Sequence, residues 1–208
     1  MARPGSPKGV VWDVGNVIVR WDPRTLYSKI FPDLAERDDF LARVCTLDWH
    51  METDRGLPPA ENTRRLVERF PEHEPHIRAW WDRWDEMFSG VIEETVEVIE
   101  ALAARGVPQF GLTNMAAHCW PAIRAMTPAL ERLSYVLVSG EVGLVKPDPA
   151  IFRLLCEKVG MKPGELLFVD DSERNVEAAR GMGFEVWRFR EPAGLQKVVD
   201  AVEIPLFR

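Results

Sequence analysis

The chain has little of what would tie it to a membrane, an oxidising compartment or a nucleic acid. In 208 residues there is no run of about 18 apolar residues, the length that a membrane helix requires. The opening segment, Met1 to Gly9, carries no apolar stretch ahead of the first strand-like run, so neither a leader peptide nor a membrane anchor is expected. Cysteines number three, at positions 45, 119 and 156; they form no CxxC pair and lie in apolar or helical surroundings, which points to buried free thiols and a cytoplasmic protein. Positive charge is in deficit as well. The formal net charge of −7 argues against nonspecific binding to nucleic acid or to anionic lipid, so any anion site has to be locally positive. Internal repeats and low-complexity tracts are also missing. What remains is enough apolar material, 46% of the residues, for one core with a small added lobe.

The patterning that is present alternates strand and helix. Residues 9–13 climb through Val10, Val11 and Trp12 to Asp13 and then meet a polar turn at Gly15 and Asn16, the signature of a buried parallel strand. From 22 to about 88 apolar residues fall at helical spacings with no period-2 run, and prolines divide the stretch into three or four short helices. The last of these is expected to carry Trp80, Trp81, Trp84 and Phe88. After Gly90 come a helix over 93–104, a strand over 107–112 and a strand over 134–138. A helix capped by Asp148, with Pro149 at its first position and Gly160 past its end, follows. Strands over 166–169 and 185–189, separated by a helix over 173–182, complete an α/β, doubly wound parallel sheet with a helical insertion after the first strand. The expected division is a core of 1–20 and 90–208 and an inserted helical unit of 21–89.

Ligands of open parallel sheets bind beyond the carboxyl ends of the strands. Three strands here end in polar residues: Asp13, Thr113 and the pair Asp170 and Asp171. Singly, such residues commonly cap the next helix; together they suit a phosphomonoester. Asp13 can attack phosphorus and split the reaction in two. Thr113 can donate its hydroxyl at a helix start, and Lys146, before the stiff Pro147-Asp148-Pro149 segment, can neutralise phosphoryl charge. Asp171 and Asp13 with a backbone carbonyl offer the hard oxygens that magnesium prefers.

Four ordered segments, Trp-Asp13-Val-Gly15-Asn-Val, Leu-Thr113-Asn114, Lys146-Pro-Asp-Pro and Phe-Val-Asp170-Asp171 with Asn175, resemble the motifs of the haloacid dehalogenase-like hydrolases. The inserted helices sit where that superfamily places a C1 cap. The resemblance implies a magnesium-dependent phosphatase acting on a small organic phosphate, a sugar phosphate among the options. Asp13 would be the nucleophile, with Thr113 and Lys146 on the phosphoryl group and Asn114, Gly15, Asn16 and His50 at the substrate. Asp13, the Gly15 carbonyl and Asp171 would hold Mg2+, and Asp170 and Asn175 would support the metal and Lys146.

One position departs from the pattern. Phosphatases of this superfamily usually carry a second Asp two residues after the nucleophile, as acid for the leaving alcohol, and Gly15 stands there. A subgroup resembles this chain in having Asp-x-Gly-Asn, and the replacement acid is either water or a side chain of the insertion, with His50 and Asp22 as candidates. A 2-haloacid dehalogenase is the rival within the fold, with Trp49, Trp80 or Trp84 as halide pocket; a catalytically silent binding domain is the rival outside it. Trp49, His50, Thr53 and Arg55 are read as a possible substrate-facing cluster, His73, His76 and His118 as surface, and zinc is not expected at His118. The partners expected are a small-molecule phosphate, no nucleic acid, no membrane, and a monomer or homodimer. The insertion is expected to move about junctions at 20–22 and 89–90.

Overall fold

A computed structural model describes residues 6–202; the first five residues of the opening segment, where the absence of a leader was read, lie outside it. In chain order the elements are β1 (Gly9–Trp12), β2 (Val19–Trp21), α1 (Pro23–Tyr27), α2 (Leu34–Arg43), α3 (Leu47–Asp54), α4 (Pro59–Arg69), α5 (Glu74–Asp82) and β3 (Phe88–Val91). They continue with α6 (Glu93–Ala104), β4 (Gln109–Thr113), α7 (Trp120–Arg124), β5 (Tyr135–Val138), α8 (Ser139–Val142) and α9 (Pro149–Val159). The last are β6 (Leu166–Asp170), α10 (Glu173–Gly181), β7 (Glu185–Arg188) and α11 (Gln196–Ala201).

The five strands expected from the sequence form one parallel sheet in the order β5-β4-β1-β6-β7. Period-2 alternation divides its side chains between two cores. Val10, Trp12, Leu167 and Val169 pack on one face with Ile99 and Leu102 of α6, while Val11, Phe110, Leu112 and Phe168 pack on the other with Ile151, Phe152 and Leu155 of α9. The indole of the fully buried Trp12 donates to Gln109 Oε1 at 3.0 Å, and the Gln109 amide donates to the Ile99 carbonyl, so this central polar group is satisfied. The ends of α9 are as read: Asp148 accepts from the Ala150 amide at 2.8 Å, Pro149 is the first helical residue, and Gly160 adopts φ 69°.

Between β2 and β3 the chain is helical and has its own apolar cluster, built on Leu26, Tyr27, Phe40, Val44, Leu66, Ile77 and Trp80. Three details differ from expectation. Two short strands were not expected: β2 and β3 pair at the junctions as an antiparallel ribbon, too short for any period-2 signal. The insertion holds five α-helices rather than three or four, and the expected tryptophan helix is divided, with Trp80 and Trp81 on α5, Trp84 in a 3-10 turn and Phe88 in β3. His73 and His76 are half-buried against Phe40 and Phe31 rather than on the surface, because this small cluster draws in the aromatic faces at its edge.

Candidate active site

Adjacent parallel strands set the site. β1 lies between β4 and β6, so the residues that follow or end these strands, Asp13, Thr113 and Asp170, come out side by side. All three are buried, and Lys146 from the loop after α8 reaches between two of them. Its Nζ lies 2.9 Å from Asp13 Oδ1 and 2.7 Å from Asp170 Oδ2. The loop that carries Lys146 is clamped at its backbone. Lys146 N donates to Asn114 Oδ1 at 2.8 Å, and Asn114 Nδ2 donates to the Lys146 carbonyl at 2.9 Å.

Asp170 is fully enclosed and its carboxylate is saturated. Oδ1 accepts from the Ser172 amide at 2.8 Å and from Asn175 Nδ2 at 3.0 Å, and Oδ2 accepts from Asn175 and Lys146. Its geometry is therefore that of an orienting group. Asp13 is less engaged. Its Oδ1 accepts from the Val14 amide at 2.7 Å and from Lys146, which leaves the other oxygen available for chemistry.

Carboxylate oxygens of Asp13, Asp170 and Asp171 lie within 4.8 Å of one another. Fully ionised, these three and the one ammonium sum to −2, and the cost is visible in their acidities. Burial, with the charges of Asp170 and Asp171 adding to it, raises the Asp13 carboxyl well above the usual range despite Lys146. Burial and the neighbouring Asp170 also raise Asp171. For Lys146 burial works against the ammonium, yet Asp13 and Asp170 outweigh it and its pKa is raised, so it stays charged. A compact divalent cation with a preference for oxygen fits this donor set, since it would relieve the repulsion that the single lysine leaves. Among the described residues this is the one such cluster of His, Cys, Asp and Glu.

The cluster opens into a cavity of about 210 Å³. Asp13, Gly15, Asn16, His50, Thr113, Asn114, Lys146, Asp171 and Asn175 all border it, so every site residue expected from the sequence does so except Asp170, which stands behind Lys146. Several expectations change in detail. Thr113 does not sit at a helix start, because a loop and a 3-10 turn over Ala117–Cys119 precede the five-residue α7. Asn16 adopts φ 57°, a conformation Asn tolerates, and its Oδ1 accepts the Trp21 amide at 3.0 Å, tying the turn to β2. Asn114 is used first to hold Lys146. Asp22 does not border the cavity: it caps α1 by accepting the Arg24 amide.

Of the cluster Trp49, His50, Thr53 and Arg55, only His50 borders the cavity. Trp49 donates to the Asn62 carbonyl, Thr53 accepts from Asn62, and Arg55 pairs with Glu52 on the surface. Trp49 and Trp80 are likewise absent from the cavity wall, while Trp84 is on it. His50 is stacked on Trp21 with ring centroids 5.3 Å apart, and its Nδ1 accepts the indole N–H of Trp80 at 3.2 Å. Burial lowers its pKa to about 4, so near neutral pH it carries no proton to give as an imidazolium, contrary to its candidacy as the acid. An indole is a donor only, which fixes the neutral tautomer with hydrogen on Nε2. That nitrogen lies 3.6 Å from Oδ2 of Asp54.

Asp54 was not singled out from the sequence. In Thr53-Asp54-Arg55-Gly56 it reads as an ordinary helix end, and the core residues beside it, Ala116 and Cys119, lie more than sixty positions away. It is 2% exposed, borders the same cavity as Asp13, and is held at about 7, chiefly by burial. The His118 ring rests against Trp81, with Nε2 3.4 Å from Cys119 Sγ.

Fold and site together define a hydrolase with a carboxylate-rich centre at the head of a parallel sheet. Residues 7–183 match the haloacid dehalogenase-like hydrolase family, and the chain belongs to it. Among curated relatives, it is 26% identical to the GMP/IMP nucleotidase YrfG of Escherichia coli over 84% of this chain and 82% of that protein. It is 25% identical to the D-ribitol-5-phosphate phosphatase of Bacteroides thetaiotaomicron over 87% of this chain and 91% of that one. Among solved structures, a HAD family enzyme from Bacteroides thetaiotaomicron in complex with magnesium and inorganic phosphate superposes with a TM-score of 0.68 at 22% identity, over 88% of this chain and 94% of the other. The L-2-haloacid dehalogenase of Xanthobacter autotrophicus shares the fold too, with a TM-score of 0.63 at 18% identity over 96% and 85%. The fold alone therefore spans both chemistries. No helix among the described residues is long and apolar enough to cross a membrane.

Proposed function

We infer that the chain is a magnesium-dependent phosphatase of small organic phosphates, sugar phosphates among them, and belongs to the C1-capped subgroup with Asp-x-Gly-Asn at the first motif. The observation that carries this reading is the convergence of Asp13, Asp170 and Asp171 around the buried Lys146 at the floor of a single cavity. A dehalogenase, which needs no metal, would leave three carboxylates crowded against one ammonium with nothing to balance them. The relatives named as a nucleotidase and a phosphatase, and the magnesium and phosphate in a neighbouring structure, support the same reading.

On this reading the helices of 21–89 are a cap over a core of 1–20 and 90–208, joined to it through the ribbon of β2 and β3. Asp13, the Gly15 carbonyl and Asp171 would hold Mg2+, which when bound supplies charge neutralisation between the phosphoryl oxygens and the carboxylates. The free oxygen of Asp13 attacks phosphorus, the bond from phosphorus to the ester oxygen breaks, the alcohol leaves, and an aspartyl-phosphate remains. Thr113 donates to, and Lys146 neutralises, the oxygens that gain charge in the transition state. Asp170 and Asn175 keep Lys146 aimed, and Asn114 fixes its loop. Water then releases phosphate. The cavity of about 210 Å³ lies below the range of roughly 300–1,000 Å³ typical of drug-sized ligands, which favours small substrates.

The test is turnover of a panel of small phosphate esters with magnesium and with chelator, beside Asp13→Asn. Activity that needs both magnesium and Asp13 is expected. Equal phosphate release by the parent and Asp13→Asn would overturn the reading.

A further inference from the structure

When a phosphoryl group moves to Asp13, the alcohol of an unactivated ester leaves as a strongly basic oxygen, and a positioned acid speeds that departure. Gly15 offers no side chain for this, although the space is open: a Cβ built there meets nothing within 4 Å. His50 is neutral, and Asp22 is turned to its helix cap. One further acid borders the cavity besides Asp13 and Asp171. We propose that Asp54, on the inserted helices, is the proton donor to the leaving alcohol, with His50 and Trp80 as its positioning residues. The proposal rests on the phosphatase reading above.

The geometry supports it in three ways. Asp54 borders the cavity that holds Asp13. Its Oδ2 lies 3.6 Å from Nε2 of His50, whose ring is itself fixed by the Trp80 indole, so the two groups face each other just outside hydrogen-bond range. Its Oδ1 is enclosed and has no hydrogen-bond partner, so no donor stabilises the carboxylate there and the protonated form is favoured. The segment just past α3 lies against α8: a Cβ on Gly56 would lie 3.6 Å from the Gly140 carbonyl, and one on Gly143 would lie 3.6 Å from the Arg55 carbonyl. At Gly140 a Cβ would lie 2.6 Å from Ala117 N and 2.8 Å from the Met115 carbonyl, so only glycine lets α8 and the loop after β4 pack this tightly. Burial places the acidity of Asp54 at about 7, suited to both giving and taking a proton near neutral pH. The groups facing it are His50 on its own helix, Arg55 next to it, Lys146 across the cavity and Cys119 from the loop after β4.

The protons balance over the cycle. As the bond from Asp13 to phosphorus forms and the bond from phosphorus to the ester oxygen breaks, the Asp54 carboxyl gives its proton to that oxygen and the alcohol departs. As water attacks phosphorus, the Asp54 carboxylate takes a proton from it, the bond to Asp13 breaks, and phosphate leaves with Asp54 protonated again.

The experiment compares kcat/KM for an alkyl phosphate and for p-nitrophenyl phosphate, whose phenolate leaves without protonation. In Asp54→Asn the alkyl ester is expected to lose about 10²–10⁴-fold, and the aryl ester to lose at least about tenfold less. Adding Gly15→Asp to that variant is expected to recover alkyl turnover, because the space at 15 admits a carboxyl. An equal loss on both esters, or none, would overturn the role of Asp54. Should Asp54→Asn fail to fold, the parent decides: alkyl kcat/KM is expected to fall as pH rises through about 7 while aryl kcat/KM lacks that limb, and matching profiles would overturn it. A parent that cleaves neither ester with magnesium instead sinks the phosphatase reading itself.

Discussion

Asp54→Asn is expected to make the protein more stable while making it a poorer catalyst. Burial raises the Asp54 carboxyl from 3.8 to about 7. A folded pKa above the unfolded one means that this group's contribution is fully present below about pH 4 and is lost as pH rises through about 7. The shift is roughly 3 units at about 1.36 kcal/mol each, so the ionised residue costs at most about 4 kcal/mol at alkaline pH. Asparagine keeps the shape and never ionises. The stability of the variant relative to the parent should therefore grow by about 3 kcal/mol between about pH 5 and pH 8. The assay is urea unfolding of both proteins at the two pH values, with chelator present; the change corresponds to a relative midpoint shift of about 1 M or more. A gap that stays constant with pH would refute the claim that burial in the cavity wall holds Asp54 protonated. Lost stability exchanged for a reactive group is a common bargain at active sites.

Other expectations follow from the same geometry. Lys146→Met leaves Asp13 and Asp170 buried without their cation and should cost about 3–5 kcal/mol in denaturant unfolding as well as abolishing turnover. Asn114→Ala removes both bonds that clamp the Lys146 backbone; it should cost about 1–3 kcal/mol and lower kcat more than it raises KM in steady-state assays. Magnesium should raise the melting temperature of the parent in a saturable way, by the equivalent of about 2.7 kcal/mol at a hundred times Kd, and Asp171→Asn should abolish that rise in a thermal-shift titration.

The parts of this fold that could be read in advance are those with a local signal. The strands 9–13 and 166–169 are uninterrupted apolar runs that end in acids, and the first motif, Thr113 and Lys146 occupy the turns that the sheet then brings together. The ribbon of β2 and β3 was invisible because its partners, Val19–Trp21 and Phe88–Val91, are short and are separated by the whole insertion. His50 borders the cavity, but its neutral state follows from burial, with Trp21 and Trp80, about thirty residues away in either direction, packed on its ring. Asp54 carries no local mark at all. Its acidity exists only because the end of α3 is pressed onto the loop after β4.

The claim on which all of this turns is that Asp13 takes the phosphoryl group covalently. Rapid acid quench of the enzyme with magnesium and a small phosphate ester, followed by mass spectrometry of its peptides, tests it directly. A phosphoryl group on the peptide containing Asp13, absent in Asp13→Asn, is the result the account predicts. Turnover with unmodified Asp13 at every quench time, or a phosphoryl group carried by another residue, would contradict it.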